Sequence, residues 1–350
     1  MVTPLVDRDT LDAPGLARLI EHLLTGGVHG LFILGTTGEG PSLGQALRRE
    51  LITATVERVS GRVPVLVAIS DTSLADSIEL ARFAADAGAD AVVSSAPFYF
   101  RASQEGLLEY VWQLADTLPL PLLLYNMPQL TKVAFEPETV RQALEHKNIV
   151  GVKDSSGDMV YFHLLEDLIA ARQDKTLFMG PEEVLADAIL AGANGGVCGG
   201  ANMFPRLYVE LYEAGLRRDF ESVKASQDSI MQVSRLLYSV NKQNSSIING
   251  IKCTLSWLGI CHDYVLPPLR PFNEAETTLV YERLKQLSRL DSSGIRSEMI
   301  EHSLDSREGI KNHTGANSRL VRQNGRFDTQ DSSPRPHVSP SHSKQDELAD

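Results

Sequence analysis

Cysteine is scarce in this chain. There are three in 350 residues, Cys198, Cys253 and Cys261. No CxxC pair or histidine cluster accompanies them, so neither a disulfide framework nor a zinc site is expected. Positive charge is also in deficit: 33 Lys and Arg stand against 45 Asp and Glu, a formal net charge of −12. Nucleic-acid binding needs a basic face that neutralises phosphates, and attachment to an anionic membrane needs a polybasic segment. Neither partner is expected. No apolar run approaches the length of a membrane span, and no basic-then-apolar leader opens the chain. A cytoplasmic protein is the expectation.

Apolar residues are plentiful, 43% of the total, and they come in a repeating order. Continuous apolar runs at 30–35, 63–70, 89–95, 120–126, 148–153, 176–179 and 195–198 read as strands. Amphipathic stretches at 43–60, 73–87, 104–117, 137–146, 159–172 and 183–192 read as the helices between them. Such alternation indicates a parallel sheet covered on its outer face. Seven strands are legible. The eighth, needed to close a (β/α)8 TIM barrel, is the first, with Met1-Val2-Thr3-Pro4-Leu5 as its tail end. A doubly wound sheet would pair a glycine-rich turn after its first strand with a ribose-binding acid. Gly35-Thr36-Thr37-Gly38 offers a turn but the acid is missing, so the barrel is preferred.

Beyond the barrel, assigned to 1–219, the strand pattern stops. Stretches at 205–216, 220–241, 245–260 and 274–289 read as helices, giving a C-terminal helical segment over 220–290 packed on the barrel. From 291 to 350 the composition turns to Ser, Asp, Arg, His, Asn and Pro, and a disordered polar tail is expected. Its histidines, His302, His313, His337 and His342, are too dispersed for a metal site.

Chemistry collects at the strand ends. Asn148-Ile149-Val150-Gly151-Val152-Lys153 ends a buried strand on a lysine. Loss of water there disfavours an ammonium, and a neutral amine can attack a carbonyl to form an imine. Leu122-Leu123-Leu124-Tyr125-Asn126-Met127-Pro128 ends a second strand on a tyrosine, and Leu31-Phe32-Ile33-Leu34 runs into Gly35-Thr36-Thr37-Gly38-Glu39. Each has a plain structural explanation. Most strand-end lysines reach solvent, most such tyrosines belong to the core, and a Gly-Thr-Thr-Gly run is more often only a turn. The glycines of 195–200 fit close strand packing or a late phosphate site. Only the joint occurrence of the three strand ends describes an active site.

Together these motifs resemble the dihydrodipicolinate synthase / N-acetylneuraminate lyase family, in order and at matching spacing over roughly 1–290. The resemblance implies a (β/α)8 barrel that joins a lysine to pyruvate, or to the pyruvyl end of a 2-keto acid, as a Schiff base. It implies a homo-oligomer, a dimer or a tetramer built as a dimer of dimers. Lys153 matches the imine-forming lysine and Tyr125 the proton-transfer phenol. Thr37 and the backbone around Thr36–Gly38 match the carboxylate cradle. Thr36 matches the hydroxyl that links Tyr125 to a second tyrosine from a neighbouring subunit, a position filled here by Tyr99. Val197 matches a residue whose carbonyl faces the tyrosine. The imine is itself the electron sink, so no cofactor and no metal are expected. Pyruvate and an aldehyde are the expected small-molecule partners.

One position departs from the synthase pattern. Synthases that use aspartate semialdehyde carry an arginine two residues after the proline of the tyrosine motif, and here Leu130 follows Pro128-Gln129. Loss of that planar fork weakens carboxylate binding, and the nearby Lys132 lacks the geometry to replace it. Sugar-acid lyases are apolar at this position. They place an acidic pair after their seventh strand, where this chain reads Met179-Gly180-Pro181-Glu182-Glu183, and use a hydroxyl at the position of Ser155. Pro181-Glu182-Glu183 equally suits a helix start, with proline early and acids complementing the dipole.

The expected activity is cleavage or formation of a 2-keto-3-deoxy sugar acid, or of N-acetylneuraminate, with pyruvate and an aldehyde as products. The synthase itself, a keto-deoxy sugar-acid dehydratase and a catalytically silent keto-acid-binding module remain open. Relatives carry about ten residues ahead of the segment matching Val2-Thr3-Pro4, so either the true start lies upstream or the first strand is truncated. For the chain as given, unpaired neighbouring edges and low solubility are expected.

Overall fold

The computed structural model describes residues 1–170, 172–241 and 246–288. Seven parallel strands follow the chain order without a crossover: β1 (Leu31–Ile33), β2 (Val65–Ala68), β3 (Ala91–Ser95), β4 (Leu122–Asn126), β5 (Ile149–Asp154), β6 (Thr176–Met179) and β7 (Gly195–Gly196). Each lies within a sequence-expected run, except that β5 reaches one residue past 148–153 to Asp154. Between them come α2 (Gln45–Val59), α3 (Leu74–Ala87), α4 (Gln104–Thr117), α6 (Pro137–Ala143), α7 (Met159–Ala170) and α8 (Leu185–Ala191). Helix α1 (Ala13–Thr25) and the single turn α5 (Pro128–Thr131) complete that part of the chain. Local signals set their ends. Ser73 and Ser103 cap α3 and α4 by accepting the N–H of Asp76 and of Gly106, and Gly88 closes α3 in the left-handed conformation.

The sheet has two apolar faces. Outward side chains join the helices in the main core. Inward, Val93, Leu123 and Tyr125 form a separate cluster against Phe32, Leu66, Met127 and Phe178. Phe32 of β1 and Phe178 of β6 meet on this one cluster although four strands lie between them, so the sheet is curled around it. Alternation breaks once. Leu122 pairs with Ile149 but Leu123 pairs with Gly151, leaving Val150 as an extra residue in β5. Ile149 and Val152, three positions apart, consequently both face the outer core.

The expectation of eight strands requires correction. Among the described residues no strand forms over 1–5, and Leu5 makes only an isolated bridge to Leu11. β1 and β7 remain unpaired with one another. The first residues nonetheless run through this seam: the Met1 amine donates to Phe32 O, Val2 N–H to Asn202 Oδ1 at 2.9 Å, and Thr3 Oγ1 to Gly38 O at 2.6 Å. Val2 and Thr3 are wholly buried there.

After β7 the chain is helical: α9 (Pro205–Leu216), α10 (Phe220–Val233), a π-helical turn (Ser234–Tyr238), α11 (Ser246–Trp257) and α12 (Glu274–Ser288). The helix expected over 220–241 therefore changes character at Ser234. The tail expected over 291–350 lies outside the described residues. No helix among those described is long and apolar enough to cross a membrane.

Candidate active site

The strand register brings the expected residues together. Lys153 is opposite Tyr125 on one side and Phe178 on the other. It is only 6% exposed. Its Nζ lies 4.2 Å from the centre of the Tyr125 ring and 4.9 Å from that of Phe32. Among the described residues it has no carboxylate partner within ion-pair distance. An amine without a counter-ion, walled by aromatic rings, is well placed to react as a nucleophile.

The Tyr125 hydroxyl is 3.1 Å from Thr36 Oγ1. Burial pushes this phenol up, but the nearby Lys153 charge and hydrogen bonds with Thr36, Ser155 and Lys153 outweigh it, so its pKa lies below the ordinary tyrosine value. A phenol so placed exchanges its proton more readily than one in water. Thr37 follows Thr36 on the same turn. A Cβ built on Gly199 would come 3.8 Å from Thr37 Oγ1, so the turn after β1 and the glycine-rich turn after β7 face each other. Gly38 is buried in the first turn, and Val197 is held in the second by its N–H to Met179 O at 2.8 Å. Ser155 packs over Gly180, where a Cβ would fall 1.9 Å from its Oγ; only glycine leaves that space.

Beside the lysine, Asn126 Nδ2 donates to Asp154 Oδ1 at 2.8 Å, and Ser156 donates to the same carboxylate through N–H and Oγ. Burial raises the Asp154 carboxyl against these donors. This network fixes the ends of β4 and β5 to one another. Sequence reasoning passed over it, although two polar residues at the same register of adjacent apolar strands signal such a bond.

The acidic pair divides. Glu182 is buried, and its Oε1 accepts from the Tyr208 hydroxyl at 2.5 Å and the Tyr238 hydroxyl at 2.9 Å, while Oε2 accepts the Gly200 N–H at 2.8 Å. Burial, partly offset by these donors, raises its carboxyl to about 7. Glu182 thus anchors the glycine-rich turn and has no free face for a sugar hydroxyl. Glu183 is exposed, with Oε1 accepting from Ser234 Oγ at 2.6 Å. Tyr99 is not brought to Thr36. It is 87% exposed, has φ 86°, and packs edge-on against Phe100 with centroids 5.0 Å apart. A bulky residue at positive φ carries backbone strain.

A cavity of about 420 Å³ lies under Lys153, bounded by Phe32, Leu66, Val93, Leu123 and Phe178 and reaching the seam between β1 and β7. Thr36, Thr37, Tyr125 and Ser155 do not line it, so the proposed chemistry lies at the strand ends and not in this cavity. Among the described residues no group of three or more His, Cys, Asp or Glu could hold a metal.

A curled parallel sheet with a lysine, a tyrosine and threonines at the C-terminal ends of its strands defines an α/β protein of the barrel-enzyme type. A model of the dihydrodipicolinate synthetase family matches residues 1–287, and the chain belongs to that family. It is an aldolase/lyase of that family. Over 297 residues it is 33% identical to the 4-hydroxy-tetrahydrodipicolinate synthase of Methanopyrus kandleri, covering 84% of this chain and 96% of that one. Over 280 residues it is 31% identical to the putative 2-dehydro-3-deoxy-D-gluconate aldolase YagE of Escherichia coli, covering 79% and 91%. The solved dihydrodipicolinate synthase of Bacteroides thetaiotaomicron is 50% identical with a TM-score of 0.80, covering 82% of this chain and 96% of its own. The structure of YagE in complex with pyruvate is 31% identical with a TM-score of 0.77, at the same two coverages.

Proposed function

We propose that this protein is a Schiff-base, pyruvate-dependent aldolase acting on a 2-keto-3-deoxy sugar acid or on N-acetylneuraminate. The observation that carries this reading is the buried Lys153 amine set against the Tyr125 ring, with the Tyr125 hydroxyl bonded to Thr36. The Lys153 nitrogen adds to the C2 carbonyl of the keto acid, and loss of water leaves an iminium. The C3–C4 bond then breaks, its electron pair passing to the iminium as an enamine, while the C4 hydroxyl proton moves to the Tyr125 oxygen, which hands its own proton through Thr36 to solvent, and an aldehyde departs. Protonation at C3 and hydrolysis release pyruvate and free amine. Thr37 and the backbone at Gly38 hold the carboxylate, with the Val197 carbonyl beside them, and fixed donors there favour the charge without reorganisation. Ser155 and Glu183 face the sugar hydroxyls, and Glu182 supports the turn behind them.

Leu130 favours a sugar acid over aspartate semialdehyde, because a half-exposed leucine offers a carboxylate no donor. The synthase remains the second reading, favoured by its name among the relatives. Tyr99 and Phe100, two large aromatics that are 87% and 82% exposed, support a homo-oligomer, a dimer or tetramer, in which Tyr99 reaches the Thr36 of a neighbouring copy. A cytoplasmic setting accords with three free cysteines.

The test is reduction with sodium borohydride in the presence of pyruvate, followed by peptide mass spectrometry. A pyruvyl adduct is expected on the Lys153 peptide alone and is expected to vanish in Lys153→Ala. No adduct on folded wild-type protein sinks the proposal.

A further inference from the structure

The turn that presents Thr36 and Thr37 begins and ends in left-handed backbone, at Leu34 (φ 60°) and Glu39 (φ 56°). Non-glycine residues persist there only where their surroundings fix them. At Glu39 the fixing groups come from the other end of the described chain. Lys252, in the middle of α11 and wholly buried, forms an ion pair with Glu39 Oε1. The Leu266 N–H donates to Glu39 Oε2 at 2.7 Å, and Lys252 Nζ donates to Tyr264 O at 2.7 Å. One lysine therefore ties the turn to both α11 and the segment after it. Ile251, its neighbour in sequence, packs at the opposing turn, 3.1 Å from where a Cβ on Gly199 would stand. The turn that carries Thr37 and the turn that faces it are thus backed by consecutive residues of α11.

We infer that Lys252 and Glu39 are positioning residues for the keto acid. Their ion pair holds the Leu34–Glu39 turn in the conformation that lets Thr37 and Gly38 receive a carboxylate, which makes the C-terminal helices part of the substrate site. This deepens the imine reading above and rests on it.

The test measures pyruvate half-saturation of borohydride trapping, together with melting temperature. In Glu39→Gln/Lys252→Met the buried charges are removed as a pair, so stability is expected to stay close to wild type. The tether is gone, and half-saturating pyruvate is expected to rise by about tenfold with the plateau unchanged. Glu39→Asp alone keeps the charge pair but shortens its reach by one methylene; it is expected to give a smaller rise and serves as the test should the double variant fail to fold. Wild-type half-saturation in the folded variants overturns the inference and leaves the pair a purely structural one. Absence of an adduct in the wild type itself overturns the imine reading, and the inference with it.

Discussion

Lys153 and Tyr125 occupy the same register on adjacent strands, with the amine 4.2 Å from the ring centre. The proposed nucleophile and proton carrier are thereby fixed relative to each other by the sheet ladder rather than by loops. Their roles separate in a single substitution. Tyr125→Phe keeps the aromatic wall and removes the proton carrier. Borohydride trapping at Lys153 is expected to survive, while kcat for sugar-acid cleavage falls by about 10²–10⁴. A kcat near wild type would remove Tyr125 from the proton path.

Leu130 tests the choice of second substrate. It sits in α5, directly after β4, and is half-exposed. Leu130→Arg supplies the fork that a carboxylate needs, and kcat/KM for aspartate semialdehyde is expected to rise roughly tenfold or more. Competing assays with sugar acids and the semialdehyde, on wild type and variant, give the answer. An unchanged ratio means that this side chain does not face the aldehyde.

Glu182 should leave a signature in stability. Its folded-state carboxyl is raised to about 7 from an ordinary 4.5, chiefly by burial. Between those pH values the folded protein binds a proton that the unfolded chain has released, so this group's contribution to stability falls as pH rises through the window. Glu182→Gln cannot ionise. Its melting temperature relative to wild type is expected to increase from pH 5 to pH 8. A constant difference across that range would show that Glu182 does not titrate there.

The parts of the fold legible in sequence are those governed by short-range pattern. All seven strand runs and the helix over 104–117 coincide with what apolar continuity and amphipathic spacing indicate, because parallel strands buried on both faces admit few polar residues. Helix α1 carries local marks of the same kind, since Asp12 caps it and Pro14 stands in its first turn. The site divides along the same line. Lys153, Tyr125 and Thr36 are visible because each ends an apolar run. The partnership of Glu182 with Tyr208 and Tyr238 is set across 26 and 56 residues by helices packing over the turn, and no local pattern encodes it. Lys252 did leave a trace: a lone lysine within Ile247-Ile248-Asn249-Gly250-Ile251-Lys252-Cys253 sits where an apolar residue is the norm, which signals a buried charge with a partner elsewhere.

The extra residue at Val150 works as a change of phase. Side chains on a strand alternate, and a strand counted strictly from an outward Ile149 would send residue 153 outward too, into the helical layer. One surplus residue inverts that parity for everything downstream, and Lys153 points inward. The aim of Lys153 is thus stored in the length of its strand rather than in any contact the amine makes. Deleting Val150 would remove the surplus residue and its bulge together and leave Gly151 inward, Val152 outward and Lys153 still inward. One residue inserted or deleted between Gly151 and Lys153 would instead turn the amine away from the inner face, an inactivation by frame rather than by chemistry.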